Sequence, residues 1–403
     1  MISFDEANKI ISAELNNLKT KTTESKLLES LNCILAEDII SDINLPPFNS
    51  SAMDGFAIKY SKEITKWEMI GEISAGNYKS FKLSNTNTVR IMTGGKLPDD
   101  CTAVIPVEDV IDNGSLIELK NSVLIKPGQN IRKLGEDLKQ DQVAVQKNTL
   151  LSSKHISALA TCGKNKVKVY DKLKIAVLVT GDELVDIDKI PTGDKIRGSN
   201  LYSLLALIKE MNMTPVNLGF VSDIKSEQER KIKTALESDI NILLTTGGVS
   251  VGKFDYIPEI FKKLGVQIKF HKVNVKPGKP LIFGTFKNKD KVVFVFGLPG
   301  NPVSSFVDFI LFVKAHIYKL FKIDEQNSIK ADLSESIKKV DNKKHFMRGI
   351  YGYNSDSSKY FVEKLVSQSS GNMVGAGRAN CLIVVDETTR SVAKGEEVEC
   401  IMI

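Results

Sequence analysis

The sequence predicts a multidomain α/β protein: a central parallel α/β sheet domain, an inserted small β domain, an N-terminal mixed domain and a C-terminal β-barrel-like domain. Three observations carry this expectation. Apolar runs at 242–244 and 292–296 end in glycine, as buried parallel strands do when a loop turns sharply at their carboxyl ends. Across 171–328 strands alternate with helix-length segments in the order β, α, β, α, β, α, β, α, which predicts a parallel sheet covered by helices. On either side, at 56–126 and from 330 onward, the pattern changes to short strands split by turn residues. The expected boundaries are 1–50 with 136–170, 51–135, 171–328 and 329–403, in keeping with a prior of about 150 residues per domain.

Composition narrows the function. With 42% hydrophobic and 26% charged residues the 403-residue chain has the profile of an ordinary globular protein. The net charge of +6 fits an anionic small molecule as well as it fits nucleic acid, but no dense basic stripe with interleaved aromatics points to nucleic acid. Cys33, Cys101, Cys162, Cys381 and Cys400 are scattered, which suits reduced cysteines in the cytoplasm. Residues 1–18 form a charged amphipathic segment rather than a signal peptide, and the apolar window 303–313 is too short to span a bilayer. A cytoplasmic protein is expected.

From the amino terminus, Phe4, Ala7, Ile10, Ile11, Leu15 and Leu18 recur at helical spacing, with Ser3 and Glu6 as a capping box. Residues 45–57 hold Pro46 and Pro47 and then Asp54-Gly55, so an exposed loop ending in an Asp-Gly turn is expected. Thr93-Gly94-Gly95 follows a strand within the small β domain. Arg132, Glu136 and Asp137 surround Gly135 as a salt-bridged turn. Residues 149–162 read as a helix capped by Thr149 or Ser152, with His155 as a surface or core histidine.

In the central domain, a strand at 173–180 runs into Gly181-Asp182-Glu183, either an acidic helix start or hard oxygen ligands for Mg²⁺ at an open sheet edge. Ser199 or Asn200 caps the next helix, and Asp223 ends the following strand. Gly247 and Gly248 allow close backbone approach to an anion; Ser250 adds a hydroxyl, and Asp255 follows on the same loop. Lys272, Lys276 and Lys279 supply three cations within eight residues. After the last strand, Pro299 and Gly300 precede Asn301 as cap and Pro302 at the first helical position, so that a helix terminus faces the same ligand. The C-terminal strands enclose one glycine-rich loop, 371–377. No nucleophile arrangement stands out, whereas carboxylates with lysines suit a metal-assisted reaction on phosphate.

These motifs, in order along nearly the whole chain, resemble the molybdopterin molybdenumtransferase family, the MoeA proteins and the C-terminal domain of gephyrin. Residues 46–55 are similar to the family's Pro-Pro-Phe-Asp-Asn-Ser-Ala-Met-Asp-Gly signature, from which Asn49 and Ser50 depart; Gly198 stands where the family usually has Asp. The resemblance implies insertion of molybdate into adenylylated molybdopterin with hydrolysis and release of AMP. It implies catalytic or substrate roles for Asp54, Thr93, Asp137, Glu183, Asp223, Asp255, Lys272, Lys276 and Lys279, with Mg²⁺ on Glu183, Asp223 and Asp255. The pterin nucleotide falls to Gly247, Gly248, Val249, Ser250, Ser199, Asn200, Pro299, Gly300, Asn301 and Pro302. The glycine-rich loop at 371–377 would border the site. A homodimer is implied, with sites at the dimer interface and Asp54, Thr93 and Asp137 acting in cis or in trans, alongside other proteins of molybdenum cofactor synthesis. A catalytically silent gephyrin-like scaffold and a tungstate-inserting homologue are the alternatives.

Overall fold

The computed structural model describes residues 1–76, 79–249, 255–288, 291–323, 328–356 and 358–403. They form two compact units, one of residues 1–23, 32–34 and 169–403, the other of residues 24–31 and 35–168. In the first, helix α1 (Phe4–Leu15) begins where the sequence places it, Ser3 Oγ accepting the Glu6 amide at 3.1 Å. Its apolar stripe buries Ala7, Ile11 and Leu15, and the Phe4 ring centroid lies 5.5 Å from that of Phe312 and 5.1 Å from that of Phe346.

In the second unit, strands β1 (Gly55–Ile58), β2 (Lys66–Ile73), β3 (Asn87–Ile91), β4 (Ala103–Pro106), β5 (Val110–Asp112) and β6 (Leu116–Leu119) form one sheet ordered β4-β1-β3-β2-β6-β5. Both faces are covered: Phe56, Trp67, Ile105 and Ile117 pack on one, Ala57, Val89, Ile91 and Val104 on the other. Burial on both sides explains why β1 and β4 are apolar throughout rather than alternating. The 45–57 segment differs from the exposed loop expected. Ser50 and Ser51 are 5% and 1% exposed and pair with Arg132 and Ile131, because the Ser51 and Ala52 amides find carbonyl partners at Gly95 and Asn130. Helix α2 (Ser153–Thr161) starts at Ser152, whose amide donates to His155 Nδ1 at 3.0 Å. The imidazole fills the role usually taken by Glu or Gln in a capping box.

Returning to the first unit, the central sheet comprises β7 (Lys174–Thr180), β8 (Thr214–Val221), β9 (Ile242–Thr246), β10 (Gln267–His271), β12 (Ile282–Asn288) and β13 (Lys291–Leu298), with β11 (Val275–Lys276) outside it. Helices α3 (Ser199–Glu210), α4 (Lys225–Glu237) and α5 (Ile257–Lys263) connect successive strands. The order is β8-β7-β9-β13-β12-β10. The first four strands are parallel, as the alternating pattern predicts, but β12 is antiparallel to both its neighbours, so the sheet is mixed. Chain length is the reason. The connections flanking β12 are too short for the crossover of a dozen or more residues that a parallel pair requires.

Pro302 takes the first turn of α6 (Pro302–Asp308), which continues through a π-helical stretch, Phe309–Lys314, into α7 (Ala315–Leu320). The C-terminal region includes β14 (Ser328–Leu333), β15 (Lys344–Asn354), β16 (Lys359–Lys364), the one-turn α8 (Met373–Ala376), β17 (Cys381–Val385) and β18 (Glu397–Met402). The strands close as β15-β16-β14-β18-β17 and back to β15, and β11 pairs with β15 in parallel. Closure leaves none of the five strands as an open edge. Phe312 is fully buried under Phe4. Phe312→Ala should therefore cost about 3–5 kcal/mol, read as a lower urea midpoint in the transition that reports this unit.

Candidate functional site

Strand register collects the central loops at one edge. Val221 pairs with Thr180, Val179 with Thr246, Thr246 with Leu298, Gly297 with Ile282, and Ile282 with His271. The loops beginning at Gly181, Ser222, Gly247, Lys272 and Pro299 therefore all leave the carboxyl edge of the parallel strands, where ligands of open α/β sheets bind. At its centre the backbones nearly touch. A Cβ on Gly247 (φ +86°) would lie 2.6 Å from Thr180 Oγ1, and one on Gly300 would come within 3.5 Å of the Gly247 Cα. The Gly247 amide donates to the Leu298 carbonyl at 3.2 Å, the Gly248 carbonyl accepts from Ile257, and His271 Nε2 donates to the Val249 carbonyl at 2.8 Å. The Val249 side chain is in the core, which leaves only its backbone for a ligand. Ser250 lies outside the described residues.

Asn200 Nδ2 donates to the Gly300 carbonyl at 2.8 Å and so joins α3 to the Pro299-Gly300-Asn301 loop. The cap of α3 differs from expectation: Gly198 is the N-cap, and Ser199 and Asn200 lie within the first turn. A Cβ at 198 would sit 2.2 Å from the Phe220 ring, so the packing that admits Phe220 excludes an aspartate here. Asn301 is the N-cap of α6 by backbone geometry, without a side-chain cap bond. The Val303 amide donates to Ser370, which brings the glycine-rich loop beside this helix start. Arg348, 3% exposed, holds that loop through the carbonyls of Ser369 and Ser367, at 3.0 and 3.1 Å.

The acids are arranged differently from the expected set. Asp182, rather than Glu183, stands opposite Asp223: the Asp223 amide donates to Asp182 Oδ1 at 3.0 Å and the Asp182 amide to Asp223 Oδ2 at 3.3 Å. Glu183 folds back over Gly181, whose Cβ would lie 2.6 Å from Glu183 Oε2. Burial pushes the Asp223 carboxyl up, and the like charges of Asp182 and Asp255 add to this against the Asp182 amide and Gln228. Among the described residues no three His, Cys, Asp or Glu side chains converge to hold a metal ion. Mg²⁺, however, commonly takes only one or two carboxylates and completes its shell with phosphate oxygens and water, which the Asp182 and Asp223 pair fits.

The lysines differ in their local settings. Lys272 adopts φ +77°, its amide bonded to Leu281, while Lys279 is exposed and its carbonyl accepts from Val273. Lys276 Nζ lies 3.7 Å from Asp341 Oδ2, and Asp341 Oδ1 is 2.7 Å from His345 Nε2. Burial lowers the His345 pKa. Nothing in the spacing around residue 341 signals this partner.

In the other unit, the Thr93 amide and Oγ1 each donate to Asp54 Oδ1 at 2.7 Å. These two bonds, backbone first, hold the exposed Asp54 carboxyl below the usual carboxylate range, with a smaller contribution from Arg90. Arg132 pairs with Asp137 and, at 2.7 Å, with Glu136, so the salt-bridged turn is present. Asn49 Oδ1 accepts the Leu134 amide at 2.8 Å, giving the residue that departs from the family signature a local role. Because the Asp54 pKa is depressed, its stabilising contribution is present above the ordinary carboxylate pKa and is lost as pH falls through the lowered value. Thr93→Val removes one donor and should raise the Asp54 pKa, as read by NMR titration of its carboxyl carbon.

Residues 2–163 match the MoeA N-terminal region (domain I and II), 176–319 a probable molybdopterin binding domain, and 330–403 the MoeA C-terminal region (domain IV). The chain is 34% identical to the molybdopterin molybdenumtransferase of Haemophilus influenzae, over 99% of this chain and 98% of that protein. It is 32% identical to that of Bacillus subtilis, over 94% and 89%. The crystal structure of the molybdopterin biosynthesis moeA protein from Pyrococcus horikoshii OT3 superposes with a TM-score of 0.84 at 27% identity, covering all of both chains. Matching regions in order, identity along the whole length and a shared architecture all agree: the chain belongs to the molybdopterin molybdenumtransferase family, the MoeA proteins.

Proposed function

We propose that this chain is a molybdopterin molybdenumtransferase: it binds adenylylated molybdopterin and molybdate, hydrolyses the phosphoanhydride, releases AMP and leaves the metal on the dithiolene. One observation supports this reading above the rest. The register of six strands gathers a glycine-lined anion cradle, an acid pair and a lysine loop along one sheet edge. The Gly247 and Gly248 backbone, with Asn200 fixing Gly300 beside it, receives the pterin phosphate. Lys272, Lys276 and Lys279 take the oxyanion and neutralise phosphate charge. Mg²⁺ bound with the substrate at Asp182 and Asp223 would neutralise phosphate oxygens and favour departure of AMP. Asp255 orients the attacking water, while the Asp182 and Asp223 amides, each donating to the other's carboxylate, hold the acid pair in register.

The protein acts as a homodimer in the cytoplasm in this reading, with Asp54, Thr93 and Asp137 of one subunit serving the α/β edge of its partner. No helix among the described residues is long and apolar enough to cross a membrane.

Asp255→Ala should leave the circular dichroism spectrum intact and reduce molybdate-dependent AMP release by more than about a hundredfold, a loss of at least ~2.7 kcal/mol of transition-state stabilisation. Retained turnover would sink the assignment. Tungstate offered in place of molybdate reads metal preference in the same assay. Mixing inactive Asp54→Ala and Asp255→Ala proteins should restore part of the activity through mixed dimers; an inactive mixture that contains mixed dimers would exclude action in trans.

A further inference from the structure

Asp308 is fully buried at the end of α6, and neither carboxyl oxygen has a hydrogen-bond partner among the described residues. Such a group costs folding free energy that a valine of similar size would not, so its presence calls for a reason outside packing. The neighbour supplies one. Gly278, between Lys276 and Lys279, rests directly on this carboxyl: with φ at +99°, a Cβ there would lie 1.8 Å from Asp308 Oδ1 and 2.5 Å from Cγ. We propose that Asp308 is a positioning residue for the lysine loop, a fixed polar floor beneath Gly278 that sets where Lys276 and Lys279 present their ammonium groups to the oxyanion substrate.

The proposal rests on the reading above, in which these lysines receive molybdate. Burial without a partner raises the Asp308 pKa well above the usual carboxylate range, which disfavours a charge that would compete with the substrate for the lysines. A carboxyl offers hydrogen-bonding atoms directly beneath the Gly278 backbone, where the loop already rests on it. An apolar side chain would fill the same space and offer none.

Two variants separate this role from packing. Asp308→Val removes the unpartnered polar atoms, and Asp308→Asn keeps a neutral planar polar group of the same shape. Wild-type protein must first show molybdate-dependent AMP release; its absence would count against the enzyme reading itself. Given that activity, Asp308→Val should unfold at or above the wild-type temperature, keep kcat within twofold and raise the KM for molybdate at least fivefold. Asp308→Asn should stay within twofold of wild type in both constants. A molybdate KM within twofold in Asp308→Val would overturn the proposal, as would equal losses of kcat and kcat/KM in that variant, or an Asn variant as impaired as the Val one. If the Val protein does not fold, Asp308→Leu, which has the shape of Asn and no polar atoms, is compared with Asn: a molybdate KM raised at least fivefold in Leu but not in Asn supports the role, and equal values in both overturn it.

Discussion

Close approach of three backbone segments at Gly247 is the constraint on which the rest of the site depends. Thr180 leaves no volume for a side chain at 247, Gly300 lies in van der Waals contact with the same backbone, and φ is positive at both 247 and 248. That contact is possible only because β7, β9 and β13 end in step. The strands carry a cost here too: the hydroxyls of Thr180, Thr245 and Thr246 are buried without partners among the described residues. Unmade hydrogen bonds gathered at one sheet edge, in a core otherwise well packed, mark where the fold gives up stability for a ligand.

Sheet order also sorts charge along that edge. The acid pair leaves β7 and β8, the glycine cradle leaves β9 and β13, and the lysine loop leaves β10, at the opposite end of the sheet from β8. At about 4.8 Å per strand, five intervals separate β8 from β10 by roughly 24 Å. Acids and lysines therefore form two stations rather than one mixed cluster. A small oxyanion fits one station, and only an extended ligand engages both. A pterin nucleotide has the length and the several anionic groups to do so.

Much of this was legible in the sequence because it rests on local rules. The runs at 242–244 and 292–296 became parallel strands, Pro302 began its helix, and the glycine pair marked the turn that only glycine accommodates. What was hidden depends on contacts distant in sequence. The hairpin edge of the sheet follows from connection lengths that the alternating pattern obscured. Asp182 faces Asp223 across 41 residues, and two adjacent acids cannot be ranked by composition. Likewise, the absent acid at Gly198 has its explanation in the Phe220 ring, more than twenty residues away. Ser50 and Ser51 misled because neighbouring prolines suggest exposure, while the partners that bury them come from residues 95 and 130–132.

Lys276 shows how such distant partners tune a site without occupying it. Its ion pair with Asp341 is 3.7 Å long and half exposed, so it contributes under about 1 kcal/mol. Asp341 is meanwhile kept in place from behind by His345 and by the Lys343 amide at 3.2 Å. The lysine is thus oriented without being neutralised. Because β11 is also paired with β15, the barrel supplies both the strand that carries Lys276 and the carboxylate that aims it. The C-terminal barrel thus fixes the surroundings of Lys276, and its glycine-rich loop also reaches the start of α6 through Ser370.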